Sequence, residues 1–169
     1  MEPAVSVPCV IAYGLPATVS PGSRESAPEN ESTDASEPDV TPTTRSLLEY
    51  WQRPDRERRL FFCQVEALET LIYLAEASAR SRDAGILNRL HDASTAAGTP
   101  LLRRACKMAT GSGKTVVMAM IVVWHTLNKR RAPTDRRFAD AFLVVTPGIT
   151  IRDRLRVLLP SDPHNYYQA

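Results

Sequence analysis

The segment Thr110–Thr115, TGSGKT, lies between the short run 101–108, LLRRACKM, and the long apolar stretch Val116–Leu127. Gly111 and Gly113 can adopt backbone angles that are closed to other residues, so successive amide N–H groups can turn inward toward one anion. The apolar stretch is typical of a helix buried against a sheet, and the N-terminus of such a helix attracts negative charge. The sequence therefore predicts a strand, a glycine loop and a buried helix in succession.

Each residue of this loop suits a phosphate ligand. Lys114 would bring a mobile positive charge to the outer phosphates, and the hydroxyl of Thr115 would bind Mg²⁺ at the first turn of the helix. The pattern GxxxxGK[ST] has a glycine where this chain has Met108, so the match fails at one position. A glycine loop can also be a mere tight connection, but the flanking strand and helix favour phosphate binding. The predicted nucleotide contacts in the loop are Thr110, Gly111, Ser112, Gly113, Lys114 and Thr115.

Charge divides the chain into two parts. Residues 1–44 hold seven acidic residues and one basic residue, Arg24, whereas residues 45–169 hold 20 basic and 12 acidic residues. The first part is rich in Ser, Pro, Glu and Thr, and it has too few large apolar residues to offset the entropy lost on folding. We predict a disordered acidic tail over 1–44 and a single basic domain over 45–169. The positive charge favours anionic partners such as nucleic acid, and a solvated charged surface is an equally good interpretation of it.

Hydrophobic patterns place the other elements coarsely. An amphipathic helix should begin near Leu60, after a break at Pro54, and AFLVVTP at 141–147 is the clearest strand. We expect a loop over 83–100 with one short helical turn at 86–90, and a final helix in 149–159 that ends before Pro160. Only two strands, 101–108 and 141–147, can be identified in this way.

The three cysteines are far apart and have no CxxC spacing, which argues against a disulfide framework or a zinc site. The apolar start of the chain is interrupted by Pro8 and Pro16 and is too short to span a bilayer, so neither a signal peptide nor a membrane anchor is predicted. A reducing cytoplasm fits this composition.

The segment MATGSGKT resembles motif I of superfamily 2 helicases and translocases, particularly the DEAD/DEAH-type motor subunit (Res) of type III restriction enzymes. This resemblance covers about residues 45–167 and implies an α/β fold, a partial RecA-like P-loop NTPase lobe in which helices flank a parallel sheet. RLFFCQVEALETL is similar to the upstream Q-type element of that superfamily, which implies that Gln64 recognises adenine with its amide donor and acceptor. The alternative is that Gln64 is an ordinary polar position on a helix.

The segment FLVVTPGITIRDRL resembles motif Ia of the same superfamily, which lies at the edge of a nucleic-acid groove. The resemblance implies backbone-phosphate contacts without base recognition. The implied nucleic-acid contacts are Thr146, Pro147, Gly148, Arg152 and Arg154. For the two arginines, a solvated surface position is an equally good interpretation.

The resemblance further implies ATP and Mg²⁺ as cofactors, DNA as a partner and possibly a modification (methyltransferase) subunit as another. Hydrolysis needs a carboxylate at the end of a second strand to hold Mg²⁺ and an acid to activate water, but no DExH motif occurs and Asp140 precedes its strand. We therefore predict no catalytic residue and expect the chain to be the N-terminal part of a larger motor that hydrolyses ATP only when complete. The alternatives are another P-loop enzyme, such as a small kinase, and a non-enzymatic fragment.

Overall fold

The computed structural model of the protein describes residues 9–12, 40–78, 84–96, 98, 103–146 and 148–167. Its helices are α1 (Pro42–Trp51), α2 (Phe62–Ile72), α3 (Ala84–Ala96), α4 (Lys114–Arg131) and α5 (Ile149–Arg154). A π-helical turn, Tyr73–Ala77, extends α2, and a 3-10 turn, Leu155–Leu158, extends α5. The strands are β1 (Cys9–Ala12) and β2 (Arg103–Cys106).

The described residues are mostly helical, and their strands form only a short ladder. β1 and β2 pair antiparallel, with Cys9 opposite Cys106 and Ala12 opposite Arg103. The strand predicted before the glycine loop is therefore present as β2, but the parallel sheet of a RecA-like lobe is not present among these residues. Most of the predicted disordered tail, at 1–8 and 13–39, lies outside the described residues.

Helix α1 begins earlier than the predicted domain boundary at residue 45. The side chain of Thr41 caps the helix by accepting the Thr44 N–H at 3.2 Å, and Pro42 occupies the first helical position, where its fixed φ suits a helix and no N–H is needed. Thr44 is fully buried. The folded part of the chain thus includes residues that were predicted to belong to the tail.

Helix α4 forms the centre of the hydrophobic core. Its buried side chains, Val117, Met120, Ile121 and Trp124, recur at helical spacing and pack against α1 and α2. The rest of the core comprises Trp51 of α1, Leu68, Leu71 and Ile72 of α2, and Phe138 from the segment after α4. The predicted buried helix after the glycine loop is present, but it packs in the core against α1 and α2 and not against the predicted parallel sheet.

Two secondary-structure predictions are wrong. Residues 84–96 form helix α3 rather than a loop, because Ala, Leu and Arg favour a helix over the whole segment; Gly98, with φ of 69°, follows its C-terminus. The run 141–146 forms no strand, although its apolar residues suit one. A strand requires a neighbour to accept its backbone hydrogen bonds, and no described segment pairs with this run.

None of the helices in the described part of the chain combines the length and the apolar character that crossing a bilayer requires.

A buried polar network ties α1, the π-helical turn and α4 together. Glu76 has no exposed surface, and its carboxylate accepts hydrogen bonds from the Thr41 N–H at 2.6 Å, the Thr44 hydroxyl at 2.6 Å and the Trp124 indole N–H at 2.8 Å. Asn128 donates to the Thr44 hydroxyl at 3.0 Å. Because these groups satisfy one another, a carboxylate can be buried in the core between three elements.

Replacing Glu76 by glutamine should destabilise the protein, because one acceptor oxygen becomes an N–H₂ group that faces another donor. We expect the free energy of unfolding, measured by denaturant titration, to fall by about 2 kcal/mol. The control is Glu66→Gln, which makes the same chemical change at an exposed position on α2. Equal stability of the two variants would contradict the role given to this network.

His125, next to Trp124 on α4, lies among aromatic rings. Its ring centroid is 4.5 Å from that of Trp124, 5.9 Å from that of Phe138 and 6.2 Å from that of Phe142. Its Nδ1 accepts a hydrogen bond from the Ala139 N–H at 3.3 Å. Burial, together with the positive charge of Arg104, lowers the pKa of His125 from 6.5 to about 4.

Stability should consequently depend on pH through His125. Below pH 6.5 the unfolded chain takes up a proton at this residue, whereas the folded chain keeps it neutral down to about pH 4. The free energy of unfolding should therefore be highest above pH 6.5 and fall by about 3 kcal/mol as the pH drops through this window. Denaturant titrations across the pH range should lose this dependence in His125→Gln and keep it in His164→Gln, an exposed control. A dependence retained in His125→Gln would assign it to another group.

Candidate functional site

The glycine loop joins β2 to α4 and turns back on itself at two points. Gly111 has φ of 80° and Gly113 has φ of 76°. Both values lie in the left-handed region, which residues with a Cβ rarely adopt. Between them, Ser112 donates its N–H at 3.4 Å and its hydroxyl at 2.7 Å to the carbonyl of Ala109. The backbone is therefore curved over the whole segment rather than extended.

Helix α4 begins directly at this curve. Gly113 is its N-cap, and the Gly113 carbonyl accepts the N–H groups of Val116 at 2.9 Å and Val117 at 3.3 Å. The N–H groups of Lys114 and Thr115 belong to the first turn, where a helix supplies no acceptor, and neither donates a hydrogen bond to another described residue. Together with the helix dipole, these donors favour an anion at this end of α4.

Lys114 and Thr115 carry the side chains that were predicted to contact phosphate and Mg²⁺. The Lys114 Nζ donates to the carbonyl of Ala109 at 2.8 Å, and no salt bridge among the described residues involves it. Its charge is thus bound only to a neutral carbonyl, which a phosphate oxygen can replace with a stronger, charge-assisted bond. The hydroxyl of Thr115 lies half-buried on the first turn of α4.

A magnesium ion fits this donor set only in company with a phosphate. Mg²⁺ usually keeps several waters and takes few protein ligands in addition to phosphate oxygens, which one threonine hydroxyl can satisfy. Within the described ranges, no cluster of His, Cys, Asp and Glu could hold a metal ion by itself.

Gln64 lies against the loop, although 48 residues separate it from Ser112. Its Nε2 donates to the carbonyl of Ser112 at 3.0 Å, and its Oε1 accepts the N–H of Phe61 at 2.9 Å. The side chain is 4% exposed. The structure thus brings the predicted glutamine and the predicted loop together, while its role in adenine recognition stays a prediction.

Met108 explains how the loop departs from the usual pattern. Its half-buried side chain packs against the hydrophobic core at the start of the loop. The turns are supplied by Gly111 and Gly113, so a glycine is not needed at position 108 for this curvature.

Sequence reasoning missed the Ala109 carbonyl, which accepts hydrogen bonds from both Ser112 and Lys114. A main-chain acceptor cannot be predicted from residue type, because every residue has a carbonyl.

The predicted nucleic-acid contacts surround the start of α5. The hydroxyl of Thr146 donates to the carbonyl of Gly148 at 3.3 Å, and Gly148 is the extended N-cap of the helix. Arg152 and Arg154 are exposed; Arg152 lies 3.3 Å from the exposed Asp153 carboxylate in a weak surface pair. Pro147 lies outside the described residues. No hydrogen bond or salt bridge in the described part of the chain connects this group to the glycine loop.

Comparisons with known proteins give no relatives: no family model, no curated protein and no solved structure matches this chain. Its function is therefore inferred from the geometry of the loop and from the sequence motifs.

The two loop glycines should respond differently to alanine. At either position, alanine would have to adopt a left-handed backbone conformation. This lowers the free energy of unfolding by about 1 kcal/mol. At Gly113 a Cβ would also lie 2.0 Å from the Gln64 Nε2, whereas at Gly111 it would meet nothing within 4 Å. Denaturant titration should show a clearly larger loss of stability for Gly113→Ala than for Gly111→Ala. Similar losses would mean that Gln64 does not pack on the loop.

Proposed function

We propose that this chain is the ATP-binding segment of a DNA-binding superfamily 2 helicase or translocase, similar to the motor subunit (Res) of type III restriction endonucleases. In this proposal, residues 45–169 are the N-terminal portion of a RecA-like lobe, and ATP is bound with Mg²⁺ at Thr110–Thr115. ATP hydrolysis belongs to the complete protein, because the chain has no DExH carboxylates. The cytoplasm is the proposed location.

The observation that carries this proposal is the curved loop at the start of α4. Two left-handed glycines, the unused N–H groups of Lys114 and Thr115, and an ammonium group bound only to a carbonyl all lie within one turn of the helix. Such a combination suits a polyanion better than a simple connection between a strand and a helix, which does not require a lysine turned back over the loop.

The residues of the loop have separate tasks. The N–H groups of the loop and first turn would hold the inner phosphate oxygens, and Lys114 would neutralise the outer ones. Thr115 would contribute one oxygen to the bound Mg²⁺, whose positive charge balances that of the phosphates. These residues bind and orient the triphosphate, and none of them can abstract a proton from water.

Two further features support a motor protein over a small kinase. The apolar run 141–146, in which Leu143 is 89% and Val145 is 82% exposed, has the composition of a strand that belongs in a larger sheet. The exposed Arg152 and Arg154 follow it, as expected for contacts with a DNA backbone. A modification subunit is a further partner implied by the resemblance alone.

Replacing Lys114 by alanine should abolish Mg²⁺-dependent binding of a non-hydrolysable ATP analogue, because the outer phosphates lose their counter-charge. Isothermal titration calorimetry should show binding by the unchanged protein and by Lys129→Ala, which removes one positive charge from the opposite end of α4. Neither form should turn ATP over. Equal binding by the Lys114 and Lys129 variants would refute the assignment of the loop.

A further inference from the structure

We propose that Gln64 is a positioning residue, which holds the glycine loop in its phosphate-binding curvature, and that it does not recognise the nucleobase. The inference rests on the proposed binding of a triphosphate by the loop. It assigns Gln64 a different task from the one implied by the family resemblance.

Both ends of the Gln64 amide are already used by backbone groups. The Oε1 accepts the N–H of Phe61, the residue that caps α2, and the Nε2 donates to the carbonyl of Ser112. Recognition of adenine needs a donor and an acceptor presented together at one edge of the base. One N–H and one lone pair of the amide stay unused, but with 4% of Gln64 exposed a base cannot reach them unless the amide turns away from both contacts.

The contact with the loop is close as well as polar. A Cβ built on Gly113 would lie 2.0 Å from the Nε2 and 3.3 Å from the Cδ of Gln64, so the amide lies directly against the backbone at the N-cap of α4. The carbonyl of Ser112 points toward the Gln64 amide, because it accepts this hydrogen bond. In a planar trans peptide the Gly113 N–H points the opposite way, so this contact turns that donor away from Gln64 and leaves it for a phosphate.

One side chain thus joins two helix N-termini. Through Phe61 it completes the first turn of α2, in the manner of the third residue of a capping box, and through Ser112 it fixes the last turn of the loop before α4. Loss of Gln64 should therefore loosen the loop for every triphosphate, whatever base is attached.

The test compares three ligands in the presence of Mg²⁺: an ATP analogue, a GTP analogue and inorganic tripolyphosphate, which has no base. Gln64→Leu keeps the approximate volume of the side chain and removes both hydrogen bonds. We expect the affinity for all three ligands to fall by the same factor, about tenfold, because one preorganising contact is lost. The control is Gln52→Leu, which removes an exposed glutamine that donates to Glu69, and it should leave all three affinities unchanged.

A second variant, Gln64→Glu, should make the affinity for tripolyphosphate depend on pH, which general destabilisation of the protein would not do. When ionised, the carboxylate repels the Ser112 carbonyl; when protonated, it can donate to that carbonyl and still accept from Phe61. Its affinity for tripolyphosphate, relative to that of the unchanged protein, should recover as the pH falls through the pKa of the carboxyl, which burial raises. Gln64→Leu should not recover.

Several outcomes would overturn the inference. A loss confined to the ATP analogue, with tripolyphosphate unaffected, would make Gln64 a nucleobase contact, and unchanged affinities would leave it without a role in binding. If the unchanged protein binds none of the ligands, the proposed function fails, and hydrogen exchange then tests the positioning role alone. The amides of Ser112, Val116 and Val117, which donate to the carbonyls of Ala109 and Gly113, should exchange faster in Gln64→Leu than in Gln52→Leu, and equal rates would refute the role.

Discussion

The burial of α4 between α1 and α2 is the constraint on which the rest of the structure depends. Val117, Ile121 and Trp124 place about two turns of this helix in the core. The Glu76 network fixes the same helix through Trp124 and Asn128. A helix held in this way presents its N-terminus in one orientation. The loop before it can then be organised by a few local contacts, because packing on two sides holds the helix in place.

The position of Glu76 shows how the polar and apolar parts of the core cooperate. A buried carboxylate is costly unless donors surround it, and here the N-terminus of α1, a threonine hydroxyl and the indole of Trp124 supply them. The π-helical turn places Glu76 at the end of α2, facing α4, so α1 is joined to both other helices. The sequence contains a visible sign of the α1 terminus, Thr41 followed by Pro42, but no sign that Glu76 completes it.

The features that sequence reasoning predicted are those with local causes. Gly111, Gly113 and the apolar residues of α4 act within a few positions of one another, so the loop and the buried helix could be predicted from the sequence. The run 141–146 shows the opposite case, since its β-branched residues favour a strand that only a distant neighbour could complete. The hydrogen bond between Gln64 and Ser112 could not be predicted either, because it joins a side chain of α2 to a main-chain carbonyl in the glycine loop.

In the proposed function, the backbone N–H groups of the curved segment from Ser112 to Thr115 bind a triphosphate. The most direct measurement is a titration of isotope-labelled protein with a Mg²⁺-bound ATP analogue, followed by NMR shifts of the backbone amides. The largest shifts should occur at Gly113, Lys114 and Thr115, because their N–H groups become phosphate donors. Shifts centred elsewhere, with these three amides unchanged, would contradict it.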